Sequence, residues 1–501
     1  MSHWIIAPIV LPALVAALMV IALRGDLFLQ RIAGLASILA LNGIAVALLV
    51  SATIHGPEAY FLGNWPAPFG IVLVADRLSA LMVALLAGLA LVAALYAIGS
   101  GWDRRGAHFH PLLQFLLMGI GGAFLTGDAF NLFVFFEVLL IASYGLMIHG
   151  GGSARTRAGI QYIAFNLVGS SLFLFALALL YAVTGTLNMA DLAQKLPHLP
   201  EGDTALLRVA AVMMILVFAI KGALVPLQFW LPGTYANAPG VVAALFAVMT
   251  KIGAYATLRA GTLVFPPELA ATGSLLSDLL FPAALVTLSL GALGVLGART
   301  LPRLAAFGGI ASMGTAFLAI SAFTPQATSA ALYYILHSTL ATAALFLVAD
   351  LVSRRRSHPR LDRSAQTFPQ LGLIGGLFLV TAIAVAGMPP LSGFIGKLLV
   401  LEAFRAQAPL VWTVVLVSSF LMILGLARAG SLIFWKAESG SRDPEPFAPE
   451  PLAFAATIGL LLAIAALTVF AGPVTDWLSG TAAALHAPEA YIAANQLGGD
   501  S

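Results

Sequence analysis

Residues Ala219 to Pro232 read AIKGALVPLQFWLP. They close a long apolar run, yet they set a lysine, a glycine and two prolines where a helix should simply continue. What that means depends on the solvent around the run. The chain is 60% hydrophobic and 9% charged over 501 residues, against roughly 45–50% and 25% for soluble domains. This composition is that of an integral membrane protein. Apolar runs of about 18 to 25 residues recur along it, each able to cross a hydrocarbon layer of roughly 30 Å as a helix. Fourteen are read, near 4–23, 32–52, 78–98, 111–126, 130–148, 162–184, 208–230, 240–260, 276–296, 304–322, 328–350, 371–401, 410–434 and 453–471. The first has no Lys or Arg before it and no small-residue cleavage pattern after it, so it reads as a retained span rather than a signal peptide.

The net charge is only +3, but its distribution is informative. Loops after odd-numbered spans hold Arg24, Arg31, Arg104, Arg105, Arg155, Arg157, Arg299, Arg303, Arg354, Arg355, Arg356, Arg360, Arg363, Lys436 and Arg442; loops after even spans hold Arg77, Lys195, Arg208, Arg259 and Arg405. This asymmetry puts the odd loops in the cytoplasm and both termini outside. There is no cysteine, so thiolate-ligated iron–sulfur clusters and Cys-type zinc sites are excluded and no cofactor is expected. His108 and His110, at a loop edge, read as structural. Polar stretches are short, near 51–77, 185–207, 351–370 and 435–452, and none is a soluble domain; the segment Asn188 to Asp203 can form a short surface helix.

The opening stretch has an echo. AGMPPLSGFIGKLLVLEAF, Ala386 to Phe404, is again an overlong apolar segment interrupted by Pro and Gly, with one lysine beside the interruption. Five spans separate the two, so repeats starting at spans four and nine would be inverted relative to each other. Paired broken helices in inverted repeats point to a transport site near the midplane.

A charge at the centre of a span costs about 2.5–3.5 kcal/mol on insertion scales, so an intramembrane ionisable residue is a functional candidate by default. Four stand out: Glu137 in NLFVFFEVLLIASYG, Lys221 in the opening stretch, Lys251 in VMTKIGAYATLRAG and Lys397 beyond GMPPLSG. His337, in YYILHSTLATAALF, is a fifth. Glu137 lies deep between apolar flanks and is expected to face protein or internal water. Pro226 removes a backbone donor and crowds the Gly222 carbonyl, opening polar backbone beside Lys221. Arg428 lies near a span end and reads as interfacial. These groups are nearly the only strong polar ones within the spans, too few for an organic-substrate pocket. They suit the sideways passage of protons through internal water. Burial disfavours a charged lysine and a neighbouring carboxylate favours it, so a Glu137–Lys221 pair that opens and closes is an expected switch.

At these residues the sequence resembles a known family. GDAFNLFVFFEVLLIASYGLMIHG, AIKGALVPLQFWLPGTYANAP, MTKIGAYATLRAG and AGMPPLSGFIGKLLVL resemble the antiporter-like membrane subunits of respiratory complex I, of related hydrogenases and of Mrp cation/proton antiporters, and within that superfamily the Mrp subunits of D type. The resemblance implies an all-α integral membrane protein of about fourteen transmembrane helices, with two inverted five-helix repeats and broken helices seven and twelve. Its divisions would be three N-terminal helices (1–105), a first repeat (106–262), a second repeat (263–435), and a fourteenth helix with a short tail (436–501). It implies proton-path roles for Glu137 and Lys221 as an ion pair, Lys251 as central relay, His337 as connecting group and Lys397 as distal terminus. It further implies an antiporter subunit, not itself an enzyme, in a bacterial inner membrane, with Mrp A, B, C, E, F and G type subunits, protons, Na+ or K+ and the lipid bilayer as partners, and no nucleic acid. An antiporter-like, proton-pumping subunit of complex I or of a membrane hydrogenase is the alternative. Glutamate is usual where Lys397 stands in one complex I paralogue and a long lateral helix marks another, which leaves the third.

Overall fold

The computed structural model describes residues 2–356, 360–361, 367–437 and 447–495; Arg363 and Arg442 lie outside them. Helices α1 (Ala7–Ile21), α2 (Leu27–Ile54) and α3 (Arg77–Ser100) come first. Then follow α4 (Phe109–Leu125), α5 (Ala129–Met147), α6 (Ser153–Thr184), the short α7 (Met189–Lys195), α8 (Thr204–Gly222), α9 (Trp230–Asn237) and α10 (Gly240–Arg259). The second half holds α11 (Leu275–Gly297), α12 (Leu301–Ile320), α13 (Pro325–Arg355), α14 (Leu371–Ala386), α15 (Ser392–Ala403) and α16 (Ala408–Gly430). Last come α17 (Pro451–Val469), α18 (Ala471–His486) and α19 (Glu489–Ala494). Eleven helical stretches among the described residues are long and apolar enough to span a membrane, and α1, α4 and α14 are shorter apolar helices. Starts are marked by polar side chains that hold otherwise unpaired backbone N–H groups: Asp76 takes that of Ser79, Asp128 that of Asn131, and Thr300 and Thr324 those of Arg303 and Ala327.

Two expectations need correction. Arg259 does not lie in a loop: the helix runs on through a π-helical turn, Ala260–Val264, and Arg259 is buried, its Nη2 donating to Asp76 Oδ1 at 2.8 Å. An arginine at a run's end looks like a loop residue until a carboxylate far away in the chain neutralises it. The segment 51–77 also holds a small antiparallel hairpin, β1 (Glu58–Phe61) paired with β2 (Val72–Ala75). Strands this short leave too little alternation to be separated from apolar loop. The surface helix expected within Asn188–Asp203 is α7, capped by the Asn188 side chain.

Basic residues from the odd-numbered loops gather at one end of the bundle and tie it together. Arg31 donates to both oxygens of Asp103, Nε to Oδ2 at 2.7 Å and Nη2 to Oδ1 at 2.9 Å, and His110 shares Asp103 Oδ2 at 3.1 Å. Arg354 donates to Glu450 through Nη1 at 2.6 Å and Nη2 at 2.8 Å, while Arg355 Nη2 reaches Glu450 at 2.8 Å. Arg428 Nη2 donates to the Ala298 carbonyl at 2.6 Å. At the centre, α10 packs against α3, α4, α8, α12 and α13. All of the most apolar stretch of its span is buried.

Candidate functional site

Helix α8 stops at Gly222 and the chain resumes as helix only at Trp230. The stop would orphan carbonyls in an apolar setting, a cost of several kcal/mol each in hydrocarbon. Trp230 Nε1 answers one, donating to the Ile220 carbonyl at 3.1 Å, and Thr287 Oγ1 accepts from the Val225 N–H at 2.9 Å. Helix α14 stops in the same way at Ala386, and α15 begins at Ser392. Here the orphaned Ala386 carbonyl is taken by Lys397, whose Nζ donates to it at 2.7 Å and to Ser419 Oγ at 2.8 Å. Each interruption therefore has one lysine within a turn or two of it.

The lysine at the first break is buried, and its ammonium donates to Asn166 Oδ1 at 2.9 Å on α6, with the Phe136 ring 5.4 Å away. One turn further along α6, Ser170 donates its hydroxyl to Glu137 Oε1. Glu137 and Lys221 form no direct ion pair; Asn166 and Ser170 stand between them on one helix face, four residues apart. The two charges remain within electrostatic reach. Glu137 is half-buried in this chain, flanked by the exposed Val134 and Ile141 on the outer flank of α5. Its deep sequence position does not enclose it.

Lys251 is 1% exposed, and among the described residues no hydrogen bond or ion pair holds its ammonium. Gly253 explains how close α10 comes to the break: a Cβ there would lie 2.6 Å from the Phe218 carbonyl oxygen and 2.7 Å from the Gly222 nitrogen. His337 on α13 is buried, shares a 2.9 Å hydrogen bond with Ser392 Oγ at the start of α15, and lies within electrostatic reach of both Lys397 and Lys251. Gly393 permits this approach, since a Cβ on it would sit 2.7 Å from His337 Nε2 and 2.3 Å from the Ala384 oxygen. The five residues selected from the sequence therefore lie on α5, α8, α10, α13 and α15.

The sequence reading missed the neutral partners: Asn166, Ser170, Ser392 and Ser419. Their signal was available for α6, where FNLVGSS sets Asn166 and Ser170 four apart in an apolar run. It missed Asp350 as well, which accepts from Tyr96 at 2.8 Å and from Trp102 Nε1 at 3.0 Å and pairs with Arg354 at 3.0 Å. No group of three or more His, Asp or Glu side chains that could hold a metal occurs among the described residues.

Spanning helices interrupted beside buried ionisable side chains are the construction of ion-translocating membrane proteins. Residues 126–423 match the family described as NADH:quinone oxidoreductase/Mrp antiporter, transmembrane, and the chain belongs to that family. It is 38% identical to a probable K(+)/H(+) antiporter D-type subunit of Rhizobium meliloti, over 97% of this chain and 96% of that one. It is 37% identical to the Na(+)/H(+) antiporter D-type subunit of Bacillus subtilis, over 99% of each. Among solved structures, a chain of the Mrp complex from a Dietzia species superposes with a TM-score of 0.88 at 26% identity, covering 99% of this chain and 100% of that one.

Proposed function

We propose that this chain is the proton-conducting subunit of a multisubunit monovalent cation/proton antiporter, acting with other membrane subunits in the bacterial cell membrane. Relatives matched over nearly their whole length and named as antiporter subunits of D type support the assignment and favour a transporter over a redox-driven pump. With α1, α4 and α14 counted beside the eleven longer spans, the chain has fourteen transmembrane helices, the seventh made of α8 and α9 and the twelfth of α14 and α15. Repeats over 106–262 and 263–435 would place these two breaks in corresponding positions, and the clustered odd loops would face the cytoplasm, with both termini outside.

Protons pass laterally along Glu137, Lys221, Lys251, His337 and Lys397 through intervening water. The observation that carries this reading is Lys251: a lysine enclosed by protein, with no counter-ion among the described residues, has a high solvation cost and no structural return for it. Its neighbours on either side are also buried and titratable, with hydroxyl or amide partners rather than fixed salt bridges. The intervening Asn166 and Ser170 let Glu137 bias Lys221 without locking it.

The test is cation-induced proton efflux in cytoplasm-side-out vesicles carrying the assembled complex. Lys251→Ala should abolish it while native-gel assembly is unchanged. Efflux at the parental rate in an assembled Lys251→Ala complex would remove the relay.

A further inference from the structure

Two cavities meet at α9. The first, about 490 Å³, opens at the end of the bundle where the odd-numbered loops gather, and is bordered by Ser153, Arg155, Asn237, Asp350, Ser353 and Arg354. The second, about 20 Å³, lies beside Lys221, Asn166, Tyr162 and Trp230. It is large enough for one water molecule, which needs little more than about 10–15 Å³ and two or more polar partners, and the polar side chains of Lys221 and Asn166 are among those that line it. Among the described residues, Tyr235 alone borders both cavities.

Tyr235 is 3% exposed and is held from three sides. Its hydroxyl donates to the Phe246 carbonyl on α10 at 2.9 Å, and its ring lies 5.9 Å from Trp230, 5.4 Å from Phe246 and 6.0 Å from Phe346 on α13. It sits on an eight-residue helix with irregular chain before it and Ala238–Pro239 after it. The helix is tied at its start by Trp230 Nε1 on the Ile220 carbonyl and at its end by Arg155 Nε, which donates to the Asn237 carbonyl at 2.9 Å, so a gate here turns on the Tyr235 side chain rather than on a shift of the helix. Asp350 ties the far wall of the vestibule, its carboxylate engaged by Tyr96, Trp102 and Arg354.

We infer that the larger cavity is the aqueous access route by which protons reach Lys221, and that the Tyr235 ring is the gate that closes it. The inference rests on the proposed proton path. It assigns to that path the side from which Lys221 is loaded and the residue that controls loading. The hydroxyl bond to Phe246 sets the closed position, and displacement of the ring joins the one-water cavity to the vestibule.

The absence of cysteine makes this directly readable. Met249 borders the small cavity and holds none of the proposed relay. Met249→Cys in the assembled complex would be exposed to silver ion in chloride-free buffer, in cytoplasm-side-out and in right-side-out vesicles, and the thiol remaining would be counted with maleimide after denaturation. Asn237→Cys, on the vestibule side, is the positive control for reagent access. Adding Tyr235→Ala should speed the reaction of the thiol introduced at position 249 with silver ion at least tenfold from the cytoplasmic side and leave it slow from the outside. Tyr235→Phe, which keeps the ring and loses its anchor, should fall between. An unchanged rate in an assembled Met249→Cys, Tyr235→Ala complex, or equal acceleration from both sides, would overturn the gate. The readout is access rather than transport, so it is separable from the Lys251→Ala result: antiport retained there with gated access here would sink the relay and leave the gate standing.

Discussion

Gly253→Ala probes the packing that brings two of the lysines together. At this position α8 and α10 touch backbone to backbone, and an added methyl would meet the Phe218 oxygen at 2.6 Å, the Gly222 nitrogen at 2.7 Å and the Gly222 Cα at 3.1 Å. None of these is a flexible side-chain end, so the helices must separate by roughly 0.5–1 Å to restore ordinary contact distances. Overpacking of this kind costs about 1–3 kcal/mol, which an assembled complex can tolerate. The displacement falls between Lys221, one residue before Gly222, and Lys251, two residues before Gly253. Misplacement of reacting groups by about 1 Å can cost on the order of a hundredfold in rate. The expected result in vesicles is therefore proton efflux reduced roughly ten- to hundredfold, with assembly intact by native gel. Gly88→Ala on α3 is the control, because nothing lies within 4 Å of a Cβ there; it should leave efflux unchanged. Parental efflux in an assembled Gly253→Ala complex would refute the reasoning.

Three further outcomes are expected. Asn166→Leu removes the acceptor of the Lys221 ammonium; loss of a charge-assisted hydrogen bond of about 1.5–3 kcal/mol should reduce efflux roughly ten- to hundredfold, and an unaltered rate would show that the amide is incidental. Glu450→Ala leaves two guanidinium groups without their shared carboxylate. Because Arg354 keeps Asp350 and Arg355 keeps Gln370, the loss should be about 3–5 kcal/mol rather than the sum of three bonds, read as a lowered midpoint in detergent by fluorescence-detected size exclusion. Asp103 gives a pH dependence. Burial alone would push its carboxyl up, but hydrogen bonds from His110 and Arg31 and the Arg31 charge hold it below the usual aspartate range. A carboxyl lowered by folding contributes stability that is present above its unfolded value and lost as pH falls through its folded value. The midpoint should therefore decline more steeply below about pH 4 in the parent than in Asp103→Asn; parallel curves would remove the contribution.

The all-helical, membrane-spanning character was legible in the chain because lipid leaves few options: long apolar runs must be helices. The candidate residues were legible for the same reason, since a lysine in the middle of such a run is conspicuous by cost alone. What the sequence could not disclose was the partner of each charge. Asp76 looks like a loop residue and Arg259 like the end of a span; only the fold brings them to 2.8 Å. The Glu137–Lys221 pair shows the converse, since both residues stood out but their spacing through Asn166 and Ser170 depends on how α5, α6 and α8 pack. Neutral hydroxyl and amide side chains carry no insertion cost large enough to draw notice, and they are the ones that hold Lys221, Lys397 and His337.

Helix α10 has no flank on lipid. Any charge gained by Lys251 must then be balanced within the protein, because neither headgroups nor bulk ions can approach it from the side. The occupancy of that lysine is felt by the helices encircling it, α3, α4, α8, α12 and α13. On the proposed proton path, enclosure makes the central helix less a wall of a channel than a shared electrical node for the helices packed around it.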